Sequence, residues 1–322
     1  MTKLGITDYY DSRNKSLLIL MYHRINPQSD CLGLTIDPEL FVQQLEYLRQ
    51  HYEVISIDEA ISRLSFGTDI KNSCVITFDD GYRDNYQIAA PLLAEHNLPA
   101  TVFVTYDAIQ TGQFGWGAFD RTLLTTRSEM LDLQEFGLGR YSLSNQVSRE
   151  SAVISLHRLL KQKPDAEKTK IVEHVIANYG DDTSGERTMM NWAEVNELAN
   201  SGLVTIGAHT VTHPILSRVP HDQAKYEITE GKRLIEEQIG RSVDFFAYPN
   251  GQPADIGPEI VDLVKEAGYR GACTTIAGRN HKDSDPFNLK RIDVTVSMAT
   301  DYYGRFSSEL FATMISGVIY KK

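Results

Sequence analysis

Cys74-Val75-Ile76-Thr77-Phe78-Asp79-Asp80-Gly81 is the stretch on which the reading of this chain turns. Cys74-Val75-Ile76 has the character of a buried strand, and two adjacent carboxylates follow its end. Such carboxylates repel each other and lose hydration, so a positive partner is expected beside them, most simply a metal ion. Gly81 lets the backbone turn sharply just beyond the sheet. Taken alone, the same residues also read as a solvated Asp-Asp-Gly turn.

A second cluster separates the two readings. His209-Thr210-Val211-Thr212-His213-Pro214 follows the apolar run Val204-Thr205-Ile206-Gly207-Ala208. The spacing of the two histidines predicts one face of a single helical turn, with Pro214 stopping it. Zinc sites commonly combine two histidines with a carboxylate and keep one position open for water. A third histidine, His23, closes the first apolar segment in Met21-Tyr22-His23-Arg24. A core histidine bonded to a backbone carbonyl is the alternative there. The other six histidines lie in loops or on predicted helices and are assigned no role.

Working outward, apolar runs alternate with amphipathic patterns. Strands are predicted at 17–21, 53–56, 74–78, 100–105, 203–208, 244–248 and 271–275. Helices are predicted at 38–51, 84–96, 192–201, 220–239 and 257–267, with Asp37 as an N-cap and Asn191 with Glu194 as a capping box. This order implies an α/β fold, a distorted, incomplete (β/α) barrel of about seven parallel strands. Active sites of such barrels lie at the C-terminal strand ends, where the Asp pair sits. Residues 112–190 break the alternation and read as a mainly helical insertion, with helices near 149–161 and 165–179, inside one unit spanning 1–322. Its glycines lack the dinucleotide spacing, and Trp116 reads as core or as cleft wall.

Of 322 residues, 42% are hydrophobic and 23% charged, as in a soluble globular protein. A net charge of −11 argues against a nucleic-acid partner. Lys161, Lys163, Lys168 and Lys170 interleave with Asp165 and Glu167, which reads as a solvated helix face. The three cysteines, Cys31, Cys74 and Cys273, form no CxxC pair and fit a reducing compartment. The apolar run 17–21, after Arg13 and Lys15, is too short for a signal peptide and reads as a first strand. No run approaches a bilayer span. A cytoplasmic location is expected, with peripheral membrane contact compatible.

Thr77-Phe78-Asp79-Asp80-Gly81 followed by His209-Thr210-x-x-His213-Pro214 resembles the first two motifs of the metal-dependent polysaccharide deacetylase family. Phe246-Ala247-Tyr248-Pro249-Asn250-Gly251 looks like its third motif. Leu289-Lys290-Arg291-Ile292-Asp293-Val294 is similar to a segment near the end of one bacterial branch. The Tyr-His at the first strand resembles the exopolysaccharide poly-N-acetylglucosamine deacetylases. The resemblance covers roughly residues 17–296. It implies Asp79 as general base, Asp80, His209 and His213 as metal ligands, Thr210 as orienting the ligand loop and His23 as general acid. Tyr248, Asn250 and Arg291 are the substrate-binding candidates. The Arg that opens the third motif in many members is missing, with Ala247 in its place. The fourth motif has no match at Ala272-Cys273-Thr274-Thr275, and no histidine follows His281 to make the late Leu-x-His. Arg291 could replace the lost partner of Asp79.

The implied reaction is removal of N-acetyl groups from an amino-sugar glycan or lipid-linked sugar, in surface polysaccharide synthesis, with one divalent ion. Zinc is the first choice on ligand grounds, with cobalt, nickel or manganese also suited. The alternatives are a deformylase or amidase on a related amide, and a sugar-binding module with a degenerate site.

Overall fold

The structure, a computed structural model, describes residues 16–180 and 187–317. Seven parallel strands form its centre: β1 (Leu18–Tyr22), β2 (Ser73–Phe78), β3 (Ala100–Val104), β4 (Val204–Ala208), β5 (Phe245–Ala247), β6 (Gly271–Ala277) and β7 (Leu289–Asp293). Each pairs with the strand before it, and β7 returns to β1, closing a barrel. The register runs from Leu18 opposite Cys74 to Tyr22 opposite Phe78, and Leu20 faces Ile292 across the closing seam.

One expected stave gives way to another strand. Residues 53–56 contribute only the two-residue strand Glu53–Val54, which pairs with Ser73 and Cys74 at the start of β2. The seventh stave is β7, whose Lys290, Arg291 and Asp293 spoil the apolar run that marks a buried strand in sequence. Arg13 and Lys15 lie outside the described residues, as do both ends of the 1–322 unit; β1 itself is buried throughout.

Alternation along the strands divides the core. Ile19, Val75, Phe103, Phe245, Ala247, Cys273 and Leu289 pack together in the barrel lumen. Helix Ile57–Phe66 adds Ile57, Ala60, Ile61 and Leu64 to the same cluster. Leu18, Leu20, Tyr22, Ile76 and Phe78 face the other way, onto the outer helices. These include Pro38–His51, with Asp37 accepting from the Glu39 N–H, and Trp192–Asn200, where the Asn191–Glu194 capping box is present.

Within 112–190 the helices Gly115–Thr125, Gln146–Leu160 and Asp165–Tyr179 pack on their own apolar cluster, centred on Phe119, Leu156 and Ile171. They enclose an antiparallel hairpin, Met130–Leu133 with Gly139–Ser142, that the helical pattern did not foretell. Among the described residues no helix is long and apolar enough to cross a membrane.

The lumen is tight on one side. A Cβ on Gly207 would lie 2.4 Å from the Phe103 ring and 3.1 Å from the Phe245 carbonyl. Gly207→Ala is expected to overpack the lumen and cost about 1–3 kcal/mol, read as a lowered Tm in thermal unfolding; an unchanged Tm would contradict this packing.

Candidate metal centre and cleft

Five strand ends converge on one cleft of about 380 Å³. Asp79 and Asp80 follow β2, His209 and His213 follow β4, His23 follows β1, Asn250 follows β5, and Asp293 ends β7; all line it. The chain thus uses the C-terminal face of its barrel, where backbone loops are free to vary over a rigid frame.

Asp80, His209 and His213 present one ligand atom each to a common point. Asp80 Oδ1 lies 3.6 Å from His209 Nε2 and 3.4 Å from His213 Nε2, and the two Nε2 atoms are 3.0 Å apart. Tetrahedral bonds of about 2.1 Å put ligand atoms about 3.4 Å apart, so the triangle fits one small divalent ion. The tautomer fits as well. His209 Nδ1 donates to the Ala247 carbonyl at 2.7 Å, which leaves its Nε2 bare and aimed inward. Burial, then the charges of His209, Lys168, Lys161 and His23, push the His213 imidazole well below its ordinary pKa, so it too offers a lone pair. Burial, reinforced by Asp79 and opposed by His23 and His209, raises the Asp80 carboxyl. Three electron-rich groups facing one another call for a cation.

The two histidines do not share a helical turn. Residues 209–215 are irregular, and Thr210 and His213 have φ of +68° and +63°. Tertiary contacts override the spacing argument. On the helix His221–Ile239, the Glu227 carboxylate accepts from the N–H groups of Val211 and Thr212 at 2.9 and 2.8 Å and from the Thr212 hydroxyl at 2.6 Å. One turn along, Gly231 leaves room for Thr210, whose backbone a Cβ would approach to 3.1 Å. Thr210 Oγ1 accepts from the His213 N–H at 2.9 Å and so ties one ligand to the next. Asp80 (φ +74°) and Asn250 (φ +60°) are left-handed too. Positive φ is rare outside glycine, above all for a β-branched threonine, and its concentration here marks a site held in place by its surroundings.

Asp79 meets the same cleft from the lumen side. Its side chain points into the lumen, where Arg291 donates to Oδ1 from one terminal nitrogen and to Oδ2 from the other, both at 2.7 Å. The same guanidinium donates to Thr77 Oγ1 at 3.1 Å and, through Nε, to the Thr274 carbonyl at 2.8 Å. Burial raises the pKa of Asp79, but the charge and bonds of Arg291, with His209 and His23, outweigh it and hold the carboxyl at about 2. The group is therefore ionised at neutral pH.

The remaining candidates divide. Arg291 is 0% exposed, and its donors are engaged by protein, so it positions Asp79 rather than touching substrate. Tyr248 is also buried; its hydroxyl donates to the Phe287 carbonyl at 3.0 Å and it does not line the cleft. Asn250 lines the cleft but commits its amide to Asp255. His23 stands in the cleft wall, its carbonyl held by Asn85 Nδ2 at 2.8 Å. Sequence reasoning missed Glu227 and Asp293, and gave no role to His157, which lines the cleft with Trp116, Asp120, Lys161 and Lys168 from the insertion.

A family model described as polysaccharide deacetylase matches residues 67–138 and 163–272. A Bacillus subtilis protein provisionally named polysaccharide deacetylase YxkH is 21% identical over 292 residues, covering 90% of this chain and 75% of its own. The poly-β-1,6-N-acetyl-D-glucosamine N-deacetylase of Staphylococcus epidermidis is 27% identical over 160 residues, 45% of this chain and 51% of that protein. Among solved structures, the Streptococcus pyogenes deacetylase PplD in complex with acetate superposes with a TM-score of 0.62 at 19% identity, covering 93% of this chain and 98% of that one. IcaB from Ammonifex degensii gives 0.60 at 20% identity, with 94% and 97% covered.

Two substitutions test the supports. Arg291→Met leaves Asp79 buried and unpaired and should cost about 3–5 kcal/mol in denaturant unfolding; a near-neutral result would refute the clamp. Glu227→Gln should keep the fold while weakening metal binding about 10–100-fold in a metal titration; undiminished affinity would show that the loop does not need its carboxylate.

Proposed function

We propose that this chain, which belongs to the polysaccharide deacetylase family, is a metal-dependent carbohydrate de-N-acetylase. The observation that carries the reading is the separation of neighbours: Asp80 turns toward His209 and His213, while Asp79 is bonded to Arg291. One carboxylate is thereby available to hold a cation and the other stays free to accept a proton.

Asp80 Oδ1, His209 Nε2 and His213 Nε2 would hold a divalent ion, zinc on donor grounds. Such an ion polarises an acetyl carbonyl and lowers the pKa of water toward about 7, which a base as weak as Asp79 requires. Asp79 accepts the proton of the attacking water, and Arg291 fixes the carboxylate's orientation during the transfer. His23 supplies a proton to the departing amine, which would otherwise leave as a strongly basic amide anion. Phe114, Trp116, Leu32 and Ile215 give the cleft an apolar side against which a sugar face can rest.

N-acetylated amino sugars in surface polysaccharide are the proposed substrates. The family supports this, as does the likeness to a relative named for poly-β-1,6-N-acetyl-D-glucosamine. The proposal includes a cytoplasmic location, which the three free cysteines favour.

Asp80→Ala is expected to lose bound metal and activity together. Asp79→Asn should keep metal yet lose about 10²–10⁴-fold in kcat. Metal analysis and acetate release from N-acetylglucosamine oligomers measure both; an active Asp79→Asn enzyme, or formate in place of acetate as product, would overturn the assignment.

A further inference from the structure

The insertion places cations in a cleft that is otherwise rich in carboxylates. Lys161 follows the helix Gln146–Leu160 as its C-cap, and Lys168 stands in the first turn of Asp165–Tyr179. Both line the cleft with Asp80, His209 and His213. A cation suits a helix C-terminus, so Lys161 is locally comfortable; Lys168 runs against its helix dipole.

Most of the carboxylates around them already have partners. Asp79 has Arg291, and His157 Nε2 bonds Asp120 at 2.6 Å. His157 in turn stacks on Trp116 with ring centroids 4.3 Å apart, and the Lys168 ammonium lies 5.8 Å from the Trp116 ring while bonding Asp165. Lys161 lines the cleft, and among the described residues its ammonium makes no hydrogen bond or ion pair. Burial lowers its pKa from the ordinary lysine value, and the charges of Asp80, Asp255 and Asp120 oppose that shift without reversing it. A divalent ion at Asp80 would cancel the first of these attractions, and the Lys161 ammonium keeps its donors for a ligand.

We propose that Lys161, flanked by Lys168, is an anion subsite, and that the substrate is an N-acetylated amino sugar bearing a phosphate or carboxylate close to the sugar that loses its acetyl group. The inference rests on the deacetylase reading above and narrows its substrate class. Lys161 lines the same cleft as Asp80, His209 and His213, so an anion held there belongs to the reacting sugar or to its immediate neighbour. Trp116, braced by His157, offers the ring between them an aromatic face. A neutral homopolymer would offer Lys161 hydroxyl and carbonyl oxygens but no charge to pair with.

The test compares acetate release by the zinc-loaded full chain from three probes: N-acetylglucosamine 1-phosphate, N-acetylmuramic acid, and the neutral methyl glycoside of N-acetylglucosamine. At least one anionic probe should exceed the neutral one about tenfold in kcat/KM, the scale of one charge-assisted hydrogen bond. The advantage should fall in Lys161→Met, persist in Lys161→Arg, and shrink as salt rises. Which probe wins separates phosphate from carboxylate. Neutral probe turned over as well as the anionic ones, or a preference untouched by Lys161→Met, overturns the subsite and leaves the deacetylase reading standing. No acetate from any of these sugars, or from a neutral oligomer, with metal bound overturns both.

Discussion

A charge pair inside a closed barrel, Asp79 with Arg291, is the constraint on which the cleft depends. Buried ion pairs add little net stability, since desolvation consumes most of the attraction. What this one provides is an assignment of roles. Adjacent aspartates on one strand end could both chelate a cation; two bonds of 2.7 Å to a rigid guanidinium hold Asp79 in the lumen. Asp80, rotated by a left-handed backbone, is left to face the histidines.

The lumen is shaped to admit that arginine. The small side chains of Ala247 on β5 and Cys273 on β6 leave space in the same lumen. Arg291 enters from β7, the next stave but one, with its guanidinium 5.8 Å from the Phe103 ring centroid. Gly207 in turn gives Phe103 its room. The positive charge thus reaches Asp79 by a different strand. On the other side of the cleft, the buried carboxylate of Glu227 accepts from two backbone N–H groups of the histidine loop and holds a conformation that local propensity would not.

Residue type and strand-end position made Asp79, Asp80, His23, His209 and His213 legible, because each follows an apolar run that must end at the barrel rim. Their conformation was not legible. The four-residue spacing of His209 and His213 suggested a helical turn, whereas the loop is built by Glu227, a residue distant in sequence with no local signature. β7 escaped notice because Arg291 interrupts its hydrophobicity, and the same interruption was the available clue, since a charge in a strand needs a partner. Tyr248 was misplaced because a motif match does not say which face of the chain a side chain takes. Lys161 and Lys168 resembled a solvated stripe until the fold turned them toward the cleft. The alternation of strands and helices pointed to an incomplete (β/α) barrel of about seven parallel strands, and the structure closes it through β7.

A crystal of the protein grown with zinc and acetate tests the division of the aspartates most directly. The account predicts one ion bonded to Asp80, His209 and His213, with Asp79 still bridged to Arg291 and outside the ion's bonding shell. An ion chelated by Asp79 and Asp80 together, with Arg291 released, would contradict it.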